Sequence, residues 1–171
     1  MNRRLLHLFN TAIIISMLFS ANQALCAPKV SPCMDREAHI EIFTGEGRMY
    51  LCKDGKSEQK HAVSIGKEGR GKKKEGDNKT PLGRYILGAP RASEDFHKFI
   101  PVDYPTEQQR KEGYTGGRIG IHGPHKSYAW LGFLNTLVDW TQGCIAVGTN
   151  ADMDKVAEWV KQNKPVYVEI R

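Results

Sequence analysis

Short runs of alternating apolar and polar residues, each closed by a glycine, proline or Asp-Gly turn, dominate this chain, and only one segment keeps helical spacing. His39-Ile40-Glu41-Ile42-Phe43 alternates and predicts a strand. Gly45-Glu46-Gly47 is a turn, Arg48 to Cys52 a second strand, and Asp54-Gly55 a hairpin signal leading into a third strand over Gln59 to Ile65. A Gly/Lys-rich loop covers 66–78. Thr80-Pro81-Leu82-Gly83 turns the chain into a strand over Arg84 to Leu87. The polar stretch 89–117, with several prolines and glycines, predicts an excursion with little regular structure. Arg118 to Ile121 is a strand that runs into His122-Gly123-Pro124, and Cys144 to Val147 is another short apolar strand. Thr149 to Asn163 is the helix: Thr149 with Asp152 forms a capping box, with Asn150 as the alternative cap, and Met153, Val156, Ala157 and Val160 share one face. Pro165 ends it, and Val166 to Ile170 closes the chain as a strand. The sum is a mostly β, single-domain fold with one main α-helix near the C-terminus.

The first 26 residues stand apart. Arg3 and Arg4 precede a mostly apolar stretch, Leu5 to Ser20, and small and polar residues follow to Ala27. That order is that of a secretory signal peptide, and about 16 interrupted apolar residues fall short of the roughly 20 of a spanning helix. The predicted destination is the periplasm, with membrane attachment only if the signal stays uncleaved. Residues 27–37 form an N-terminal arm, and 38–171 the folded domain. Without the signal, 25 basic residues become 23 against 19 acidic ones, a formal charge of +4. The densest basic run, Lys67 to Lys74, lacks interleaved aromatics, and no nucleic-acid partner is expected.

Removing the signal leaves Cys33, Cys52 and Cys144, an odd count for an oxidising compartment. If Cys33 and Cys52 pair, they close a loop worth roughly 3 kcal/mol and leave Cys144 as the single thiol. Cys144 follows Gly143 in a tight turn beside a strand, and His122 ends another strand. A cysteine nucleophile needs a histidine within hydrogen-bonding reach, and a glycine lets the backbone N–H groups of Gly143 and Cys144 converge on an oxyanion. The other reading of a Gly-Cys before an apolar strand is a buried structural cysteine. His122, His125 and Cys144 could ligate zinc, but no second Cys-x-x-Cys or His-x-x-x-His element accompanies them, and neither metal nor cofactor is expected.

Ile121-His122-Gly123, followed by Asp139-Trp140-Thr141-Gln142-Gly143-Cys144-Ile145-Ala146-Val147, resembles the L,D-transpeptidase catalytic domain (YkuD-like), with its His-Gly, spacer and Ser/Thr-x-Gly-Cys. Gly76-Asp77-Asn78-Lys79-Thr80-Pro81-Leu82-Gly83-Arg84-Tyr85 is similar to a second segment of that family. The resemblance covers about 38–171 and implies a β-sandwich-like catalytic fold. It implies Cys144 as acyl-accepting nucleophile, His122 as base, Gly143 and Cys144 as oxyanion donors, Thr141 as shaper of the turn, and Gly123 as the residue whose carbonyl orients the imidazole. The substrates it implies are peptidoglycan stem peptides. The thioester at Cys144 would pass to an amine of a second stem, to an envelope protein, or to water, the last making a carboxypeptidase.

The sequence departs from the pattern at three places. Gln142 stands where many members have histidine. Ala146 replaces a common Arg or Asn, which puts carboxylate recognition there in doubt. The His122 to Cys144 spacing is long, 22 positions, and its insert carries Tyr128, Trp130, Phe133 and Trp140 as candidates for a groove wall or lid, or for plain packing. Two rivals remain: a non-catalytic wall-binding module with Cys144 buried, and a thiol oxidoreductase, which would want a Cys-x-x-Cys.

Overall fold

The structure is a computed structural model that describes residues 31–171 except Met34 and Val166. The predicted signal and the first residues of the arm lie outside the described residues. Nine strands make one sheet: β1 (His39–Phe43), β2 (Arg48–Lys53), β3 (Lys56–Ser64), β4 (Gly83–Tyr85), β5 (Arg91–Ser93), β6 (His97–Pro101), β7 (Gly120–His122), β8 (Ile145–Val147) and β9 (Tyr167–Ile170). Their spatial order is β4-β9-β1-β2-β3-β8-β7-β6-β5. Two helices accompany them, α1 (Glu107–Lys111) and α2 (Asn150–Asn163).

Local chemistry explains the opening meander. Asp54 and Gly55 both hold positive φ, 51° and 72°, the backbone of a tight turn whose twist suits a hairpin. β3 therefore starts at Lys56, paired with Lys53, three residues before the predicted Gln59. Its first half is polar and exposed, so the hairpin register, not burial, draws it into the sheet.

The predicted looseness of 89–117 is corrected. The stretch carries β5, β6 and α1. β6 is ordered by its partner: Phe99 lies opposite His122 and Ile100 opposite Ile121. A short, mixed-polarity strand leaves little periodic signal of its own. α1 begins with a reciprocal capping box, Thr106 Oγ1 accepting from Gln109 N and Gln109 Oε1 from Thr106 N.

α2 forms as predicted. Thr149 Oγ1 accepts from Asp152 N at 2.9 Å, and Lys164 ends the helix in the left-handed region. Met153, Val156, Ala157, Trp159 and Val160 are buried. They join a single core with Ile40, Ile42, Met49, Leu51, Tyr85, Ile100, Ile121, Ile145, Val147 and Val168. Tyr85 comes from one edge of the sheet and Ile100 from near the other. One cluster can collect both only because the sheet curls around it. The expected sandwich-like packing is thus realised by one continuous sheet whose halves meet at β3.

Candidate active site

β7 and β8 run parallel, with Ile121 opposite Ile145 and His122 opposite Ala146. Ile121, Ile145 and Val147 all face the core, fully buried. Strand alternation then turns Gly120, His122, Ala146 and, one residue ahead of β8, Cys144 to the opposite face. The two predicted residues, 22 positions apart in sequence, share one face of adjoining strands.

His122 is 2 % exposed. Its Nδ1 lies 2.6 Å from the Gly123 carbonyl oxygen. A carbonyl only accepts, so Nδ1 carries the proton and Nε2 keeps its lone pair. The carbonyl expected to orient the imidazole is thus the acceptor of its Nδ1 proton. A side chain at Gly123 would also strike Phe96 O at 2.8 Å. Three rings surround the imidazole: Phe96 at 4.1 Å, Trp140 at 5.8 Å and Phe99 at 6.2 Å between centroids. Burial in this aromatic cage pushes the imidazole down to about 4. The Gly123 hydrogen bond opposes that shift, and the nearby His125 adds to it. His122 is neutral at neutral pH.

Cys144 is half-buried and is the single free thiol among the described residues. Its Sγ lies 3.5 Å from the Arg118 carbonyl oxygen. Burial pushes the thiol up, while a Gly120 backbone hydrogen bond and the charge of Lys72 pull the other way. The thiolate expected of a catalytic cysteine is therefore not the resting form. Burial disfavours both members of an ion pair, so the site holds a neutral thiol beside a neutral imidazole.

The turn that carries the thiol is pinned on several sides. Thr141 Oγ1 donates to Cys144 O at 2.7 Å and accepts from Gly143 N at 3.0 Å. The Gly143 N–H, expected as an oxyanion donor, is thus engaged by Thr141. Thr141 N donates to Ile65 O, just beyond β3. Thr80, fully buried, donates from Oγ1 to Gly143 O at 3.0 Å and accepts from Gly66 N at 2.9 Å. Gly143 has φ 128°, and a Cβ there would meet Lys79 O at 2.6 Å, so no other residue fits.

Thr80 is held in turn by the basic loop. Asp77 accepts from Lys72 Nζ at 2.8 Å, Lys73 N at 2.8 Å, Lys74 N at 3.0 Å and Lys79 N at 3.1 Å. Burial opposes the Asp77 charge, but these donors outweigh it and hold the carboxyl well below the usual carboxylate range. Lys72 is only 5 % exposed, so the basic run Lys67 to Lys74 turns one of its lysines inward.

Of the four groove candidates, only Trp140 packs against the imidazole, half-buried and with its Nε1 on Asn135 O at 3.0 Å, while Phe133 is 69 % exposed. Tyr128 packs 5.9 Å from His125, which borders Phe96. Trp130 is 80 % exposed and donates to Ser127 O, away from the imidazole. The insert is a kinked 3-10 segment, Lys126–Thr136, bent at Gly132. Phe96, Phe99, Thr80 and Lys72 carry site roles that the sequence did not single out. Thr80 had a signal in its place in the Thr-Pro segment, and Lys72 lay in the basic run Lys67 to Lys74.

Residues 37–168 match the model of the L,D-transpeptidase catalytic domain, YkuD. The YafK protein of Escherichia coli strain K12 is 24% identical over 119 residues, 68% of this chain and 47% of that protein. Among solved structures, the helical cell shape determining protein Pgp2 from Campylobacter jejuni superposes with a TM-score of 0.64 at 29% identity, covering 79% of this chain and 47% of Pgp2. Bd1075 of Bdellovibrio bacteriovorus shares the fold, with a TM-score of 0.61 at 18% identity over 82% of this chain and 52% of Bd1075. The chain spans about half the length of each of these proteins. With most of its length matched by that model, the chain belongs to the L,D-transpeptidase catalytic domain (YkuD) family.

Proposed function

We propose that this protein is a cysteine acyltransferase of the bacterial envelope that acts on peptidoglycan stem peptides through a thioester at Cys144. The observation that carries the reading is a neutral, proton-accepting His122 on the same strand face as the one free thiol among the described residues. Nε2 of His122 takes the thiol proton as Sγ attacks the carbonyl carbon of the residue preceding the terminal D-Ala. Because both groups rest uncharged, proton transfer accompanies attack rather than preceding it. The Cys144 N–H is the oxyanion donor in this reading, since Thr141 occupies that of Gly143. The C–N bond then breaks, and the imidazolium returns its proton to the leaving amine.

In the second half-reaction, an amine of a second stem or of an envelope protein attacks the thioester carbon and loses its proton to His122. The C–S bond breaks and Sγ recovers that proton. Water in the amine's place gives a carboxypeptidase by the same route. The predicted signal and the spare odd cysteine agree with an envelope location.

Intact-protein mass spectrometry after incubation with tetrapeptide muropeptides tests the proposal. The expected result is an acyl adduct on the native protein, absent from Cys144→Ala, with cross-linked dimers among the products. Cysteine-dependent loss of D-Ala without dimers would make it a hydrolase. A folded protein that forms no adduct and changes no muropeptide would favour a wall-binding module.

A further inference from the structure

The thiol's neighbour in the fold, Arg118, carries an exposed guanidinium. Its carbonyl oxygen is the atom 3.5 Å from Sγ of Cys144. Its side chain is exposed, and among the described residues no ion pair or hydrogen bond engages its guanidinium. Two other arginines are committed, Arg84 to Glu169 and Arg171 to Glu41. Lys72, whose charge also acts on the thiol, is buried and spends two of its three ammonium donors on Asp77 and Lys74 O. The strand face itself offers no cation, because Ala146, opposite His122, presents only a methyl group.

The backbone at Arg118 is unusual as well. It sits at φ 55°, a sparsely populated conformation for a residue with a side chain, directly after Gly116 and Gly117. Such outliers collect where a surrounding site holds them. Here the outlier is the residue whose carbonyl oxygen meets the thiol.

We propose that Arg118 binds a carboxylate of the acyl donor and thereby sets which chains present their carbonyl to Cys144. A guanidinium matches a carboxylate with two parallel N–H donors, and it has no competing protein anion here. The proposal deepens the stem-peptide reading and rests on it only for the identity of the donor. In that donor the leaving D-Ala carries a carboxylate one residue beyond the scissile carbonyl.

Alkylation of Cys144 supplies a test that does not depend on turnover. Iodoacetate and iodoacetamide both form an S–C bond with loss of iodide, and they differ by one carboxylate. The ratio of their rate constants, read by mass spectrometry on the Cys144 peptide, cancels changes in thiol acidity or folding. In Arg118→Gln this ratio falls about fivefold, and Arg118→Lys retains most of it. The ratio in the unsubstituted protein declines with salt, and in Arg118→Gln it does not. An unchanged ratio in Arg118→Gln overturns the proposal.

With stem tetrapeptides, Arg118→Gln raises KM about tenfold. The penalty vanishes on whichever donor, amidated at the terminal D-Ala or at diaminopimelate, lacks the recognised carboxylate. An equal penalty on all donors overturns the proposal. No acylation of the unsubstituted protein by any donor, with the iodoacetate preference intact, overturns the stem-peptide reading and leaves the anion site standing.

Discussion

At the scale of single residues, the chemistry of the site turns on burial. His122 is held at about 4 chiefly because Phe96, Phe99 and Trp140 exclude water from its ring. A base works only when unprotonated, and His122 is unprotonated above that value. The rate of Cys144 acylation therefore falls on the acid side near pH 4 and stays level through neutrality, read as adduct formation against pH. Phe96→Ala opens the cage and moves the acid limb up toward the ordinary imidazole value of about 6.5. An acid limb already near 6.5 in the unsubstituted protein would mean that His122 is wetter than its surroundings here imply.

Asp77 acts one step further out. Its folded pKa is depressed, so its stabilising effect is present above the unfolded value of about 3.9 and is lost as pH falls through the folded one. Asp77→Ala removes the acceptor for Lys72 and three backbone N–H groups. The expected cost is about 1–3 kcal/mol at pH 7, measured by urea denaturation, and it shrinks toward acid pH. A cost that did not depend on pH would leave the carboxylate's charge without a part in holding the loop.

At the scale of elements, the site depends on how closely β6 lies against β7. A Cβ at Gly120 would come within 2.3 Å of Phe99 Cζ and 2.5 Å of Ile100 O. Gly120→Ala must push β6 away and loosen the ring that stacks on His122. We expect a loss of about 1–3 kcal/mol and an acid limb shifted upward, so chemical denaturation and the pH profile move together. Stability lost with no shift of the profile would separate β6 packing from the cage. Several elements were legible beforehand, because their periodicity is strong: β1, the Asp54-Gly55 hairpin and α2 with its Thr149 cap. β5, β6 and α1 were not, since each is short and owes its order to a partner rather than to its own pattern.

At the scale of the molecule, the sheet separates anchoring from chemistry. Cys33 and Cys52 form a disulfide that ties the arm to β2, and Tyr167 on β9 bonds Asp35 of the same arm. The candidate site lies on the other half, at β7 and β8. Replacing both bridging cysteines by serine should cost roughly 3 kcal/mol of stability while leaving the alkylation rate of Cys144 unchanged. Thermal melting and iodoacetamide kinetics read the two effects, and a slowed Cys144 would show that the halves are coupled through the core.

The sequence by itself determined the mostly β class and the single long helix and put forward Cys144 and His122 as the candidate pair, because each is written in a local pattern: a period, a cap, or a Gly-Cys and a His-Gly beside a strand. It also held Thr141 and Gly143 in the turn. Only the tertiary structure decided that Thr141 consumes the Gly143 N–H, that Lys72 points inward, that Trp140 and not Trp130 borders the imidazole, and that Phe96 and Phe99 cover it. Those outcomes rest on strand register and on a curled sheet that brings distant segments together. Water exclusion, which sets the charge of His122 and Cys144, is a property of that assembled surface and has no local signature in the chain.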